Sequence, residues 1–151
     1  MNHHPTARPL PSASLQLTEA QWRLLRWLPF AAAALFSIVM SAMAPDGRRA
    51  FHIDWSLSMD ALEFSIVKAP HISACAVLAL LAVMATGRRR WPLALLLTVA
   101  VGAAWEICQT TVIGHYARLS DLAPDTLGAV IGCMLGAASL WTIEDWKRTS
   151  P

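Results

Sequence analysis

The 151-residue chain is 56% hydrophobic and only 15% charged, with a mean hydropathy of +0.45. A 16.4 kDa domain this apolar has too few Glu and Lys residues to solvate its surface in water, which points to a membrane protein. A formal charge of +2, without interleaved basic and aromatic patches, argues against a nucleic-acid partner.

Residues 1–17 hold too little periodic apolar sequence to fold and read as a disordered tail. Helix is expected from Thr18, where Thr18 and Gln21 make a capping-box pattern, and should continue into the first apolar run. Such runs occupy residues 27–45, 69–87, 92–113 and 126–143. Each has about 18 to 22 residues, the number that crosses a hydrocarbon core about 30 Å thick. With their flanks they predict spans over about 24–45, 69–87, 91–113 and 122–143 within a membrane domain of 18–146, followed by a tail of 147–151. The expected fold is all-α, a polytopic bundle of four transmembrane helices. Arg23 and Arg26 before the first run, with Ala42-Met43-Ala44 after it, also have the form of a signal peptide and cleavage site. Nineteen uncharged residues behind a long leader favour an uncleaved helix.

Between the first two spans, Trp55, Met59, Leu62 and Ile66 recur at helical spacing, with Ser58, Asp60 and Glu63 off the stripe. A short helix there either lies in the outer interface or roofs the bundle. Orientation follows from Lys and Arg. Arg8, Arg23, Arg26, Arg88, Arg89, Arg90, Lys147 and Arg148 fall on one side, against Arg48, Arg49, Lys68 and Arg118 on the other. This places both termini in the cytoplasm. Trp22, Trp27, Trp91, Trp141 and Trp146 then line the inner interface, and Trp55, Trp105 and Tyr116 the outer one. Cys75, Cys108 and Cys133 sit in apolar runs without a CxxC pair and read as buried free thiols.

Ionisable residues inside spans are costly and must face the bundle, a partner or a wet cavity. Glu106 lies in the outer half of the third span, sharing a helix face with Gly102 and Gln109. Asp121, Asp125, Gly128 and Gly132 share a face of the fourth span. The GxxxG step from Gly128 to Gly132 is repeated by Gly136, so backbones can approach closely there. Asp121 is also placed to cap that helix. Lys68 and His71 open the second span at the same depth as Glu106, Gln109, His115 and Asp125, with Arg118 nearby. His71, His115, Glu106 and Asp125 come from separate elements at no diagnostic zinc spacing, so neither a metal nor a cofactor is expected. Ser73 and Ser120 are the candidate nucleophiles, without a recognisable strained turn or an assured base.

The run Glu106-Ile107-Cys108-Gln109, then Gly114-His115, Asp121, Asp125, Gly128 and Gly132, resembles the core motif of the VanZ-like membrane protein family. Lys68-Ala69-Pro70-His71 is similar to the family's Asp-Lys-x-x-His opening of a preceding span, which extends the likeness over about residues 68–136. Val67, Cys75, His115 and Asp125 stand where the family pattern has Asp, an aromatic residue, Arg and Asn. The resemblance implies a multi-pass protein of the bacterial plasma membrane and cell envelope, from a family named for an accessory role in resistance to the glycopeptide teicoplanin.

Three readings of the polar layer stay open. It binds the polar head of a membrane lipid or lipid-linked envelope precursor, with Lys68 and His115 or Arg118 meeting phosphate and Glu106, Gln109 and Asp125 positioning hydroxyl or amide groups. It holds the helices together in a small subunit that has a protein partner in an envelope complex. Or Glu106 is an intramembrane acid or base with His71 beside it, acting on a lipid head.

Overall fold

A computed structural model describes residues 18–43, 52–111 and 117–150. The predicted tail of 1–17, the first part of the long loop, the segment with His115 and Tyr116, and the last residue lie outside them. Among the described residues, four helical stretches are long and apolar enough to cross a membrane: Glu19–Ala42, Ala69–Thr86, Arg88–Gln109 and Leu119–Thr149. The chain is an all-α membrane protein.

The first stretch is two helices, α1 (Glu19–Leu25) and α2 (Leu28–Ala42), rather than the continuous rod expected from Thr18. Its start is as read. Gln21 N–H donates to Thr18 Oγ1 at 3.3 Å and Thr18 N–H donates to Gln21 Oε1 at 2.7 Å, closing the capping box. The break at Arg26 and Trp27 follows from Pro29, which has no N–H for the Leu25 carbonyl and whose ring crowds it.

A short α3 (Met59–Ile66) is capped by Ser58, whose Oγ accepts from Ala61 N–H at 3.2 Å. Trp55, Met59, Phe64 and Ile66 stay exposed while Ser65 is fully buried, so the helix rests on the bundle through a polar contact. α4 (Ala69–Thr86) starts on Pro70 and stops at Gly87, whose φ of 86° is open to glycine at little cost. A 3-10 turn, Arg88–Arg90, leads into α5 (Trp91–Gln109), which carries Pro92 in its first turn. α6 (Leu122–Thr149) is longer than its apolar run. At 28 residues it measures about 42 Å, so it carries Glu144 to Arg148 beyond a 30 Å hydrocarbon core without unwinding.

Two strands of two residues, β1 (Ile53–Asp54) and β2 (Ala117–Arg118), pair in parallel, with Ile53 opposite Ala117 and Asp54 opposite Arg118. They tie the loop before α3 to the segment that enters α6 through a 3-10 turn, Leu119–Asp121. Ser56 N–H donates to Asp54 Oδ1 at 2.9 Å and holds that carboxyl below the usual aspartate range.

The core joins Leu78, Ala79, Ala82 and Val83 of α4 to Ala94 of α5, Ala129 and Cys133 of α6, and Phe30 and Ala34 of α2. Small residues predominate because α4 and α6 run parallel in close contact. A Cβ built on Gly128 would fall against the Ile72 carbonyl oxygen, and one on Gly132 against that of Ala76, both well inside 3.0 Å. Gly136 meets the side chain of Val83 instead. Leu35, Phe36, Leu96, Met134 and Leu135 point outward, an apolar surface suited to acyl chains and not to water.

Candidate functional site

The starts of α4 and α6 and the last turn of α5 meet at one end of the bundle. Lys68 stands at the N-cap position of α4 without a side-chain cap, and His71 follows one turn later on the same side. Glu106 lies one turn before the end of α5, and Asp125 lies in the first turn of α6. Glu106 is 3% exposed and Asp125 is wholly buried.

Two polar groupings form there. In the first, Lys68 Nζ pairs with Asp121 Oδ1 at 2.5 Å, and Ser65 Oγ donates to the same oxygen at 2.7 Å. Ser65 and Ser120 hydroxyls lie 3.1 Å apart, which completes a link from α3 to the turn before α6. The Phe64 ring lies 5.6 Å from Lys68 Nζ and 5.8 Å from the Arg118 guanidinium, shielding both cations. This is a self-satisfied network. Each charge has an opposite charge or a donor, the condition for burying an ion pair at tolerable cost.

In the second grouping, His71 Nδ1 lies 3.1 Å from Asp125 Oδ1 and 3.6 Å from Glu106 Oε1. The His71 ring is stacked on Trp105, with centroids 4.8 Å apart and planes 9° from parallel, so its orientation is fixed. Gly102 makes room for the Asp125 carboxylate, since a Cβ there would come 2.5 Å from Asp125 Oδ2. Unlike the first network, this one is incomplete. Glu106 Oε1, Glu106 Oε2 and Asp125 Oδ2 are buried with no hydrogen-bond partner among the described residues.

Lys68, His71, Glu106, Asp121 and Asp125 are thus brought to one layer, divided into two sets. Gln109 is half-buried at the end of α5, one turn beyond Glu106, and Arg118 lies beside the layer on β2. His115 lies outside the described residues. Asp121 makes no side-chain cap on α6, because its carboxylate is engaged with Lys68 and Ser65. Of the candidate nucleophiles, Ser73 Oγ donates to the Pro70 carbonyl at 3.1 Å and Ser120 pairs with Ser65. Cys75 and Cys133 are buried free thiols, and Cys108 is half-buried and free.

Sequence reasoning missed Ser65, Phe64 and the stacking role of Trp105. A lone serine on a short amphipathic helix carries no signal of burial. Trp105 reads equally well as an interfacial belt residue, although its place next to Glu106 could have marked it.

A cavity of about 150 Å³ adjoins the layer. Ile53, Trp55, Ala103, Ile107, Leu119 and Leu122 give it apolar walls, and Glu106 and Arg118 are its charged lining residues.

The model of the VanZ/LLP1 family matches residues 8–141, nearly the whole chain, with three of the spans complete and the fourth as far as residue 141. No curated protein and no solved structure gives a match. With its four apolar helices and a family match that takes in the entire polar layer, the chain belongs to the VanZ/LLP1 family and is a multi-pass membrane protein.

Proposed function

We propose that this VanZ-like protein resides in the bacterial plasma membrane with both termini cytoplasmic. Its polar layer, in the outer leaflet, binds the polar head of a lipid or lipid-linked envelope precursor. In this reading the protein contributes to envelope chemistry of the kind that underlies glycopeptide (teicoplanin) resistance. The observation that carries the proposal is the cavity beside the layer. Its lining is almost entirely apolar, with Arg118 and Glu106 the charged residues among those that border it, as suits the part of an amphiphile where head group meets tail. Its volume of about 150 Å³ is small beside the 300–1,000 Å³ of common ligand pockets, so it would take only part of an amphiphile, next to the polar layer, while the tails remain in the bilayer.

Mass spectrometry of lipids retained by purified wild-type protein, Glu106→Ala and His71→Ala tests this, with circular dichroism confirming that all three are helical. A specific lipid enriched on the wild type alone is expected. Identical lipid profiles on three folded proteins would refute the proposal. They would favour a second reading, in which the layer holds the helices together in a small subunit with a protein partner. The Lys68–Asp121–Ser65 network, complete without any ligand, is the observation on that side.

A further inference from the structure

Sequence spacing gives no reason to expect a metal, yet the fold gathers three ligand-type side chains from three helices. One ligand atom each from His71, Glu106 and Asp125 lies within 4.8 Å of the others. Zinc bonds to imidazole nitrogen and carboxylate oxygen are about 2.0–2.2 Å long, which sets tetrahedral ligand atoms roughly 3.4 Å apart. The two separations from His71 Nδ1, 3.1 Å to Asp125 and 3.6 Å to Glu106, already bracket that value. The remaining separation, between the two carboxylates, is within 4.8 Å and would close by their rotation about a cation.

The second, independent observation is the lack of partners. Three carboxylate oxygens are buried with no hydrogen-bond partner among the described residues, the Cys75 thiol beside Asp125 being at most a weak donor. The nearest lysine, Lys68, is committed to Asp121. His71 Nδ1 can offer one proton and stands closest to Asp125 Oδ1. A proton on one carboxyl would add a single donor for the three oxygens. A divalent cation bound by neutral His71 and two carboxylates would meet the oxygens together and bring the buried charge to zero. Trp105 stacked on the imidazole and Gly102 behind the Asp125 carboxylate hold two of the three ligands in place, as a preorganised site requires.

We infer that His71, Glu106 and Asp125 form an intramembrane site for a divalent transition-metal cation such as zinc. Imidazole with two carboxylates favours such a metal over magnesium or calcium, which prefer an all-oxygen shell. Three protein ligands leave a coordination position open to water or to an anionic oxygen. The site stands on its own geometry and does not depend on lipid binding.

The test is zinc titration of detergent-solubilised, chelator-treated full-length protein without an affinity tag. It is carried out in a His3→Ala/His4→Ala background so that the histidine pair near the N-terminus does not contribute. Bound metal is read by elemental analysis and by the visible spectrum after cobalt substitution. One zinc per chain is expected. Affinity should fall by more than about 100-fold in His71→Ala, Glu106→Gln and Asp125→Asn, each shown to be helical. Helical protein that takes up no zinc, or zinc binding unchanged in all three variants, would overturn the inference. If the carboxylate variants do not fold, His71→Ala and His71→Cys decide. Loss with Ala and retention with Cys, itself a zinc ligand, is expected, and any other pattern overturns the site. Because the readout is metal and not lipid, a failure here leaves the lipid experiment to be judged separately.

Discussion

Replacing Gly132 by Ala adds one methyl group at the closest approach of α4 and α6. The added Cβ would overlap the Ala76 carbonyl oxygen and sit 2.8 Å from the Ala79 Cβ. Both obstacles are fixed by the backbone, so no side-chain rotation relieves them, and the helices must separate by about 1 Å to restore van der Waals contact. A gap of 0.5–1 Å forfeits about a quarter to a half of the dispersion energy of each atom pair it opens. The seam includes the fully buried Ala79, Val83 and Ala129, so a cost of about 2–3 kcal/mol follows, at the upper end of ordinary overpacking. Gly136→Ala is the internal comparison, because its Cβ meets a Val83 side chain at 2.9 Å and should cost about 1 kcal/mol. Equilibrium unfolding in mixed micelles, followed by far-ultraviolet circular dichroism, gives both values. A Gly132→Ala protein as stable as wild type, or one less affected than Gly136→Ala, would show that α4 and α6 do not meet backbone to backbone.

Lys68→Ala should destabilise by about 1–3 kcal/mol, less than a fully buried pair, because the lysine side chain is 25% exposed while Asp121 is left buried. A Lys68→Met/Asp121→Asn double variant in the same unfolding assay should recover part of that loss, and additive effects would refute the pairing. A cysteine placed at Ser150 should resist an impermeant thiol reagent in intact cells and react after lysis. Labelling of intact cells would reverse the proposed orientation. The depressed Asp54 carboxyl arises first from the Ser56 N–H, and its folded value lies below the unfolded one. Its contribution to the β1 turn is therefore present above the unfolded aspartate value and is lost as pH falls through the folded one. Trp55 fluorescence should change across that acid range in wild type and not in Asp54→Asn, and equal profiles would remove Asp54 from the turn.

The spans were legible because bilayer thickness and the lack of water inside it dictate length and composition together. The limits of helices were less so. Pro29 interrupts the first span from within an apolar run, whereas α6 passes through Glu144, Asp145 and Lys147 without a break, because charged residues end an apolar run but not a helix. Arg88 Nε lies 3.0 Å from Glu144 Oε2, so the extension also has a partner on the 3-10 turn before α5. The pairing of β1 with β2 could not be read, since two residues on each side make no pattern.

That Lys68, His71, Glu106, Asp121 and Asp125 lie in one layer was legible, but how they pair within it was not. Lys68 reads as a cation for a ligand until the turn before α6 brings Asp121 onto it, and His71 reads as a partner of Glu106, whereas its nearer carboxylate is that of Asp125. What decides the pairing is the register of α4 against α6, and the glycines set that register. Gly128 sits on the carbonyl of Ile72 and Gly132 on that of Ala76, so the two parallel helices advance together by four residues. Asp125 is three residues before Gly128 and His71 is one before Ile72, so the first glycine contact lies less than one turn below the His71–Asp125 pair. The small-residue seam and the acidic site are therefore one construction. Close approach of backbones brings two short polar side chains within 3.1 Å, and a wider seam would leave Asp125 buried without the imidazole.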